Sequence, residues 1–186
     1  EGEYMYSGKH SVDIFTETAV AFIGEQKDKE QPFFLSLCYM SPHDPRSMPD
    51  EFMQLYETDR IALPPNYMEK HPFDNGELVI RDEALAAIPR VESEVRRHIA
   101  EYYAMISHLD KRIGYVLDAL KANGLYENTI VIFTADNGLA VGQHGLMGKQ
   151  NLYEHSIHVP LIIKQAGATF QKRYAGQLCY LIDLFP

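Results

Sequence analysis

The stretch Phe133–Ile163 reads FTADNGLAVGQHGLMGKQNLYEHSIHVPLII. It starts as an apolar strand and breaks on an acid–amide pair. It then crosses a glycine-rich turn with a single lysine and becomes apolar again. Apolar runs bounded by turn residues read as strands, here at 129–135 and 159–163. Asp136, Asn137, His144 and Lys149 fall in the loop between them. Polar groups in such a loop are either solvated residues or a site for something charged.

In open α/β sheets, sites collect beyond the carboxyl ends of strands, where Asp136 and Asn137 stand. A carboxylate beside an amide oxygen offers hard ligands suited to Ca²⁺ or Mg²⁺. The same letters, DNG, also read as a plain turn. Lys149 is the one Lys or Arg between Asp136 and Lys164. Its ammonium can hold one anionic oxygen, or simply be solvated. GQHGLMGKQ is not a phosphate loop, because Gln143 and Gln150 stand where glycine and Ser/Thr are required. Gly138, Gly142 and Gly145 do not fit the dinucleotide fingerprint either. His144, His155 and His158 are a histidine-rich group, but without a helical register they read as supporting rather than zinc-binding residues.

Outward from this loop, Phe33–Tyr39 is nearly continuously apolar and reads as a strand buried on both faces, with Cys38 a buried thiol. SPHDP follows it, so His43 and Asp44 occupy the equivalent strand end. A histidine there can donate to an anion or a leaving oxygen, or be an ordinary loop histidine. Val12, Phe15, Ala19, Phe22 and Ile23 recur at helical spacing and place a helix over 12–27, with Ser11 as its cap. A second, longer helix runs from a Ser93 cap to Asn123-Gly124, with Asp110 a polar contact on its face. Prolines at 42, 45, 49, 64, 65, 72 and 89 make 41–92 an irregular insert with at most a short helix at 49–57. Strand, helix, strand in this order predicts an α/β fold with a right-handed crossover.

The 186 residues are 46% hydrophobic, enough for one domain with a real core. A net charge of -9 gives no broad surface for nucleic acid. No apolar run has the length of a membrane span. Cys38 and Cys179 form no CxxC motif. The abrupt ends, EGEYMYSGKH and YLIDLFP, read as those of a piece of a longer protein.

Four pieces in order resemble the sulfatase family of the alkaline-phosphatase-like superfamily: PFFLSLCYMSPHDP, YYAMISHLDKRIGYVLDALKANGLYENTIVIFTADNG, GQHGLMGKQNLYEHSIHVPLII and the closing DLFP. The resemblance implies a sandwich with a mostly parallel sheet flanked by helices. It implies that Asp136 and Asn137 bind a divalent cation, usually calcium. Lys149 would contact the sulfate and offset charge on the leaving oxygen, and His43 would hydrogen-bond the sulfate or act as general acid. His144 would lie near the substrate pocket. The family's C/S-x-P-x-R motif, whose Cys or Ser becomes formylglycine, and its early acidic pair are not in this sequence. The resemblance therefore makes residues 1–186 the later part of a catalytic domain, inactive alone, whose parent cleaves an organic sulfate ester such as a sulfated carbohydrate. Phosphodiester or phosphonate hydrolysis, phosphoethanolamine-type transfer, and a non-catalytic metal- or partner-binding domain are the alternatives. Such enzymes work in the periplasm, outside the cell or in the lysosome.

Overall fold

A computed structural model describes residues 8–167 and 176–184. It is built on two helices, α1 (Ser11–Gln26) and α3 (Glu92–Ala122). Val12, Ala19 and Ile23 form the buried stripe of α1. The cap is His10 rather than Ser11: its ring nitrogen accepts the Val12 N–H at 3.2 Å, which satisfies one of the open donors of the first turn. The long helix α3 begins at Glu92, so Ser93 lies inside its first turn, and the cap position is Val91. Two acids in that turn, Glu92 and Glu94, favour the positive end of the helix dipole. Asn123 and Gly124, at φ 70°, end it. Its buried side includes Val95, Ile99, Ala104, Met105 and Leu120, whereas Ile106 is exposed.

The two helices meet along their length. Near the C-terminal end of α3, Ile23 packs with Ala119 and Leu120. Near the start of α1, Asp13 Oδ1 lies 2.9 Å from His108 Nε2 and accepts from Arg112 Nε at 2.6 Å. Burial, the largest influence on His108, lowers its pKa, against the opposing pull of Asp13. Helix α2 (Asp50–Met53), shorter than the sequence pattern allows, seats Phe52 against the His108 ring at 4.8 Å between centroids.

Strands β1 (Val131–Thr134) and β2 (Leu161–Lys164) pair antiparallel, Val131 opposite Lys164 and Thr134 opposite Leu161. The expected parallel crossover is not formed among the described residues. Phe33–Tyr39 has no ladder partner among the described residues, and the exposure of its side chains alternates. Phe33, Leu35, Leu37 and Tyr39 are half-buried, while Phe34 is 82% exposed. One face packs, the other does not, so the segment is not buried on both faces. Cys38 lies on the open face and is exposed, which corrects the buried-thiol reading. β1 and β2 also leave Ile132 and Ile162 exposed.

The second core joins the start of α3 to the 139–148 loop. Val95, Ile99, Ala86, Val141 and Met147 pack together, with Ile61, Leu63, Tyr67 and Leu139 around them. Connections through 41–92 include α2 and single turns at Thr58–Arg60 and Glu83–Leu85.

Candidate active site

The loop that carries Lys149 is a closed, buried hairpin. Ala140 N–H donates to Gly148 O, Val141 N–H to Met147 O and Gly142 N–H to Leu146 O. Ala140, Leu146 and Met147 are at most 1% exposed. Its glycines answer packing rather than a ligand. A Cβ on Gly145, at φ 76°, would stand 2.5 Å from both Lys70 C and His71 N. One on Gly142 would meet Val95 Cγ1 at 2.4 Å.

A buried ion pair holds this hairpin in place. Glu83 Oε1 accepts the Gly148 N–H at 2.8 Å, and Oε2 accepts the Met147 N–H at 2.8 Å. Glu83 Oε2 also pairs with Arg90, whose guanidinium donates to Gly145 O and to the carbonyls of Glu83 and Ala86. Nε, Nη1 and Nη2 of that cation all bond within the protein, as a guanidinium at 2% exposure requires.

Asp82, next in the chain, reaches the other side of Lys149. Its Oδ2 accepts from Gln150 Nε2 at 3.0 Å, and Gln150 Oε1 accepts the Lys149 N–H at 3.0 Å. Asp82 Oδ1 pairs with Arg81 at 2.9 Å. Burial alone would raise the Asp82 pKa, but the hydrogen bonds from Gln150 and Arg81 and the charges of Arg81 and Lys149 outweigh it, and the net shift is downward. Asp82 is therefore a carboxylate at neutral pH.

Arg81 also touches the other candidate. Its Nη2 lies 3.4 Å from His43 Nε2 and 3.6 Å from Asp44 Oδ2. His43 Nδ1 is 2.8 Å from Asp44 O and 3.2 Å from Asp44 Oδ1. A polar chain thus runs from the His43 ring through Arg81, Asp82 and Gln150 to the backbone N–H of Lys149. Arg46, the other cation of that turn, points away and sets Nη1 2.5 Å from His98 Nδ1.

Asp136 and Asn137 form a turn at the end of β1. Asn137 N–H donates to Asp136 Oδ1 at 3.0 Å, and Asn137 Nδ2 donates to Gly138 O at 2.9 Å. Gly138 N–H donates to Ser156 O, fixing the turn against α4 (Glu154–Ile157). A Cβ on Gly138 would sit 1.9 Å from His155 O, so only glycine permits that approach. The second carboxylate oxygen of Asp136 and the amide oxygen of Asn137 have no hydrogen-bond partner among the described residues. Those two hard oxygens fit a Ca²⁺ or Mg²⁺ ion. They are a partial set: no group of three or more His, Cys, Asp or Glu converges on a metal position among the described residues.

His144 adopts φ 54° and belongs to an aromatic cluster rather than to the His43–Lys149 chain. Its ring stacks on Tyr153 at 4.1 Å, and its Nε2 accepts from Asn66 Nδ2 at 3.0 Å. His71 Nδ1 lies 2.8 Å from the His144 carbonyl and donates to it. His155 lies 5.9 Å from His144, and burial, then the neighbouring His144, lowers its pKa to about 4. His158 is exposed and paired with Glu154.

Sequence reasoning missed Arg81, Asp82, Glu83 and Arg90. RDEALAAIPR is an irregular, charged stretch without periodicity, the usual mark of a solvated loop. A cluster of three charges running straight into an apolar, proline-containing stretch was the available signal.

The Sulfatase family matches residues 1–186, and the chain belongs to that family. Over 186 aligned residues it is 34% identical to iduronate 2-sulfatase of Mus musculus, covering 92% of this chain and 32% of that protein. It is 32% identical to the multifunctional alkaline phosphatase superfamily protein PehA of Trinickia caryophylli, covering 89% of this chain and 34% of PehA. The phosphonate monoester hydrolase SpPMH of Silicibacter pomeroyi has the same fold, with a TM-score of 0.68 at 24% identity over 84% of this chain and 33% of its own. The fold is thus alkaline-phosphatase-like, and the chain spans about a third of the length of the relatives it matches.

Proposed function

We propose that the full-length protein is a sulfuric ester hydrolase that cleaves an organic sulfate ester, of which a sulfated carbohydrate is the favoured class. The observation that carries this reading is the polar chain from the His43 ring to the backbone N–H of Lys149, which brings the two residues to one region. Sulfuryl transfer develops charge on the equatorial and leaving oxygens, and placed cations and donors stabilise that charge. Lys149 supplies a compact ammonium for one of those oxygens. His43 supplies a ring nitrogen at hydrogen-bond reach of a sulfate or leaving oxygen, as donor or general acid. Asp136 and Asn137 hold a divalent cation, with calcium favoured by the oxygen-only pair. When bound, that cation offsets further negative charge on the sulfuryl group. His144, with Tyr153 stacked on it, borders the substrate pocket.

The carbohydrate substrate is favoured by the name of the mouse relative, an iduronate 2-sulfatase. The nucleophile and the remaining cation ligands come from the part of the protein before Glu1, so residues 1–186 alone are inactive. Mass spectrometry of the peptides upstream of Glu1 tests the reading. A formylglycine in a C/S-x-P-x-R context supports it. An unmodified Ser or Thr in another context moves the protein to phosphonate or phosphodiester hydrolysis, the reading favoured by the shared fold of SpPMH.

A further inference from the structure

We propose that Arg81 and Asp82 are positioning residues that tie the His43 ring to the backbone at Lys149, so that the two are placed together rather than separately. The proposal rests on the active-site reading above and adds two residues to it. Arg81 bonds through Nε and Nη2 to Asp82 Oδ1, at 3.1 and 2.9 Å, while Nη2 also faces Asp44 and His43. Asp82 uses its other oxygen for Gln150, which in turn accepts the Lys149 N–H. The guanidinium is planar and forked, so one side chain serves three partners in fixed directions.

The same contacts set the tautomer of His43. Nδ1 faces only acceptors, Asp44 O and Asp44 Oδ1, so it carries the proton. Nε2 lies 3.4 Å from Arg81 Nη2, outside the Asp44 turn, and donates to a sulfate or leaving oxygen only when the ring carries its second proton. Residues that orient a functional side chain through hydrogen bonds commonly change activity about 10- to 100-fold when removed. Arg81 is 68% exposed, so its ion pairs contribute little to folding, and its value lies in alignment. Asp82 is anchored by the neighbouring Glu83, which fixes the hairpin before Lys149.

The test is kinetic and structural, on the full-length protein. Wild type, Arg81→Ala, Arg81→Lys, Asp82→Asn and the Arg81→Ala/Asp82→Asn double variant are assayed on a sulfate ester and on a phosphonate ester. On whichever ester the wild type turns over, Arg81→Ala is expected to lower kcat about 10- to 100-fold with KM within about twofold. Its unfolding midpoint stays at the wild-type value. Arg81→Lys recovers little, and the double variant falls no more than about twofold below the lower single variant. Wild-type kcat in Arg81→Ala overturns the proposal. So does a loss confined to KM, which marks a residue that touches substrate, and so do fully additive losses. If the wild type turns over neither ester, the sulfatase reading fails. A crystal structure of the Arg81→Ala protein then decides the proposal by itself: displaced His43 and Gln150 side chains support it, and unmoved ones overturn it.

Discussion

Glu83 and Arg90 form a buried ion pair that closes the hairpin carrying Lys149. Glu83 is 4% exposed and Arg90 2%, and the carboxylate also accepts the N–H groups of Met147 and Gly148. The pair joins the irregular 41–92 segment to the loop after β1. The position of Lys149 therefore depends on contacts made across 55 to 65 places of sequence.

Glu83→Ala leaves Arg90 charged and buried with two backbone N–H groups unsatisfied. The expected loss is about 3–5 kcal/mol, the range for breaking one side of a buried pair. Urea unfolding of the full-length protein measures it. A change below about 1 kcal/mol would show that the pair does not hold the hairpin.

Gly145 is required by both backbone and space. Gly145→Ala adds a methyl group at φ 76° within 2.5 Å of backbone atoms of Lys70 and His71. Gly124 has a similar φ of 70°, but nothing lies within 4 Å of a Cβ there. Gly124→Ala should cost about 1 kcal/mol for the left-handed backbone. Gly145→Ala should cost at least about 1–2 kcal/mol more, because backbone must move. Equal melting temperatures for the two variants would contradict the close approach.

Two histidines make stability depend on acid. Burial, then the charges of Arg46 and Arg97, lowers His98 to about 4, and burial lowers His155 to about 4. Both fall below the ordinary histidine value, so the unfolded chain binds more protons between about pH 6.5 and 4. Their contribution is complete above about pH 6.5 and is lost as pH falls toward 4. Each is expected to remove about 1–2 kcal/mol between pH 7 and 4.5. Urea midpoints at the two pH values check this, and His98→Gln should flatten the dependence. An unchanged slope in that variant would place the acid sensitivity elsewhere.

Asp136→Ala removes one of the two oxygen donors at the end of β1. Calcium titration of the full-length protein should show affinity reduced at least about tenfold, with the unfolding midpoint in chelator unchanged. Wild-type affinity in this variant would remove Asp136 from the cation site.

Much of this arrangement was legible in the sequence. Val12, Ala19 and Ile23 marked α1, and Val95, Ile99 and Leu120 marked α3, because apolar side chains at helical spacing must share one face. The two strands on either side of the loop that carries Lys149 were legible as short apolar runs bounded by turn residues. The cap residues were not, since His10 can accept through a ring nitrogen as Ser11 accepts through a hydroxyl. Phe33–Tyr39 reads as a fully buried strand because all its odd and even positions are apolar or small, and only packing distinguishes the face that is covered. His43 and Lys149 stood out by their places after strands. Arg81, Asp82, Glu83 and Arg90 did not, because their partners lie far along the chain and no local period encodes such contacts.

The most direct test of the account is sulfate release by the full-length protein, matured so that any formylglycine is installed, against phosphonate release under the same conditions. The account predicts that the sulfate ester has the higher kcat/KM. Lys149→Ala should lower that kcat about 10²- to 10³-fold, the range for removing one transition-state charge partner. A matured enzyme that prefers the phosphonate ester, or one whose sulfate release survives Lys149→Ala unchanged, would contradict it.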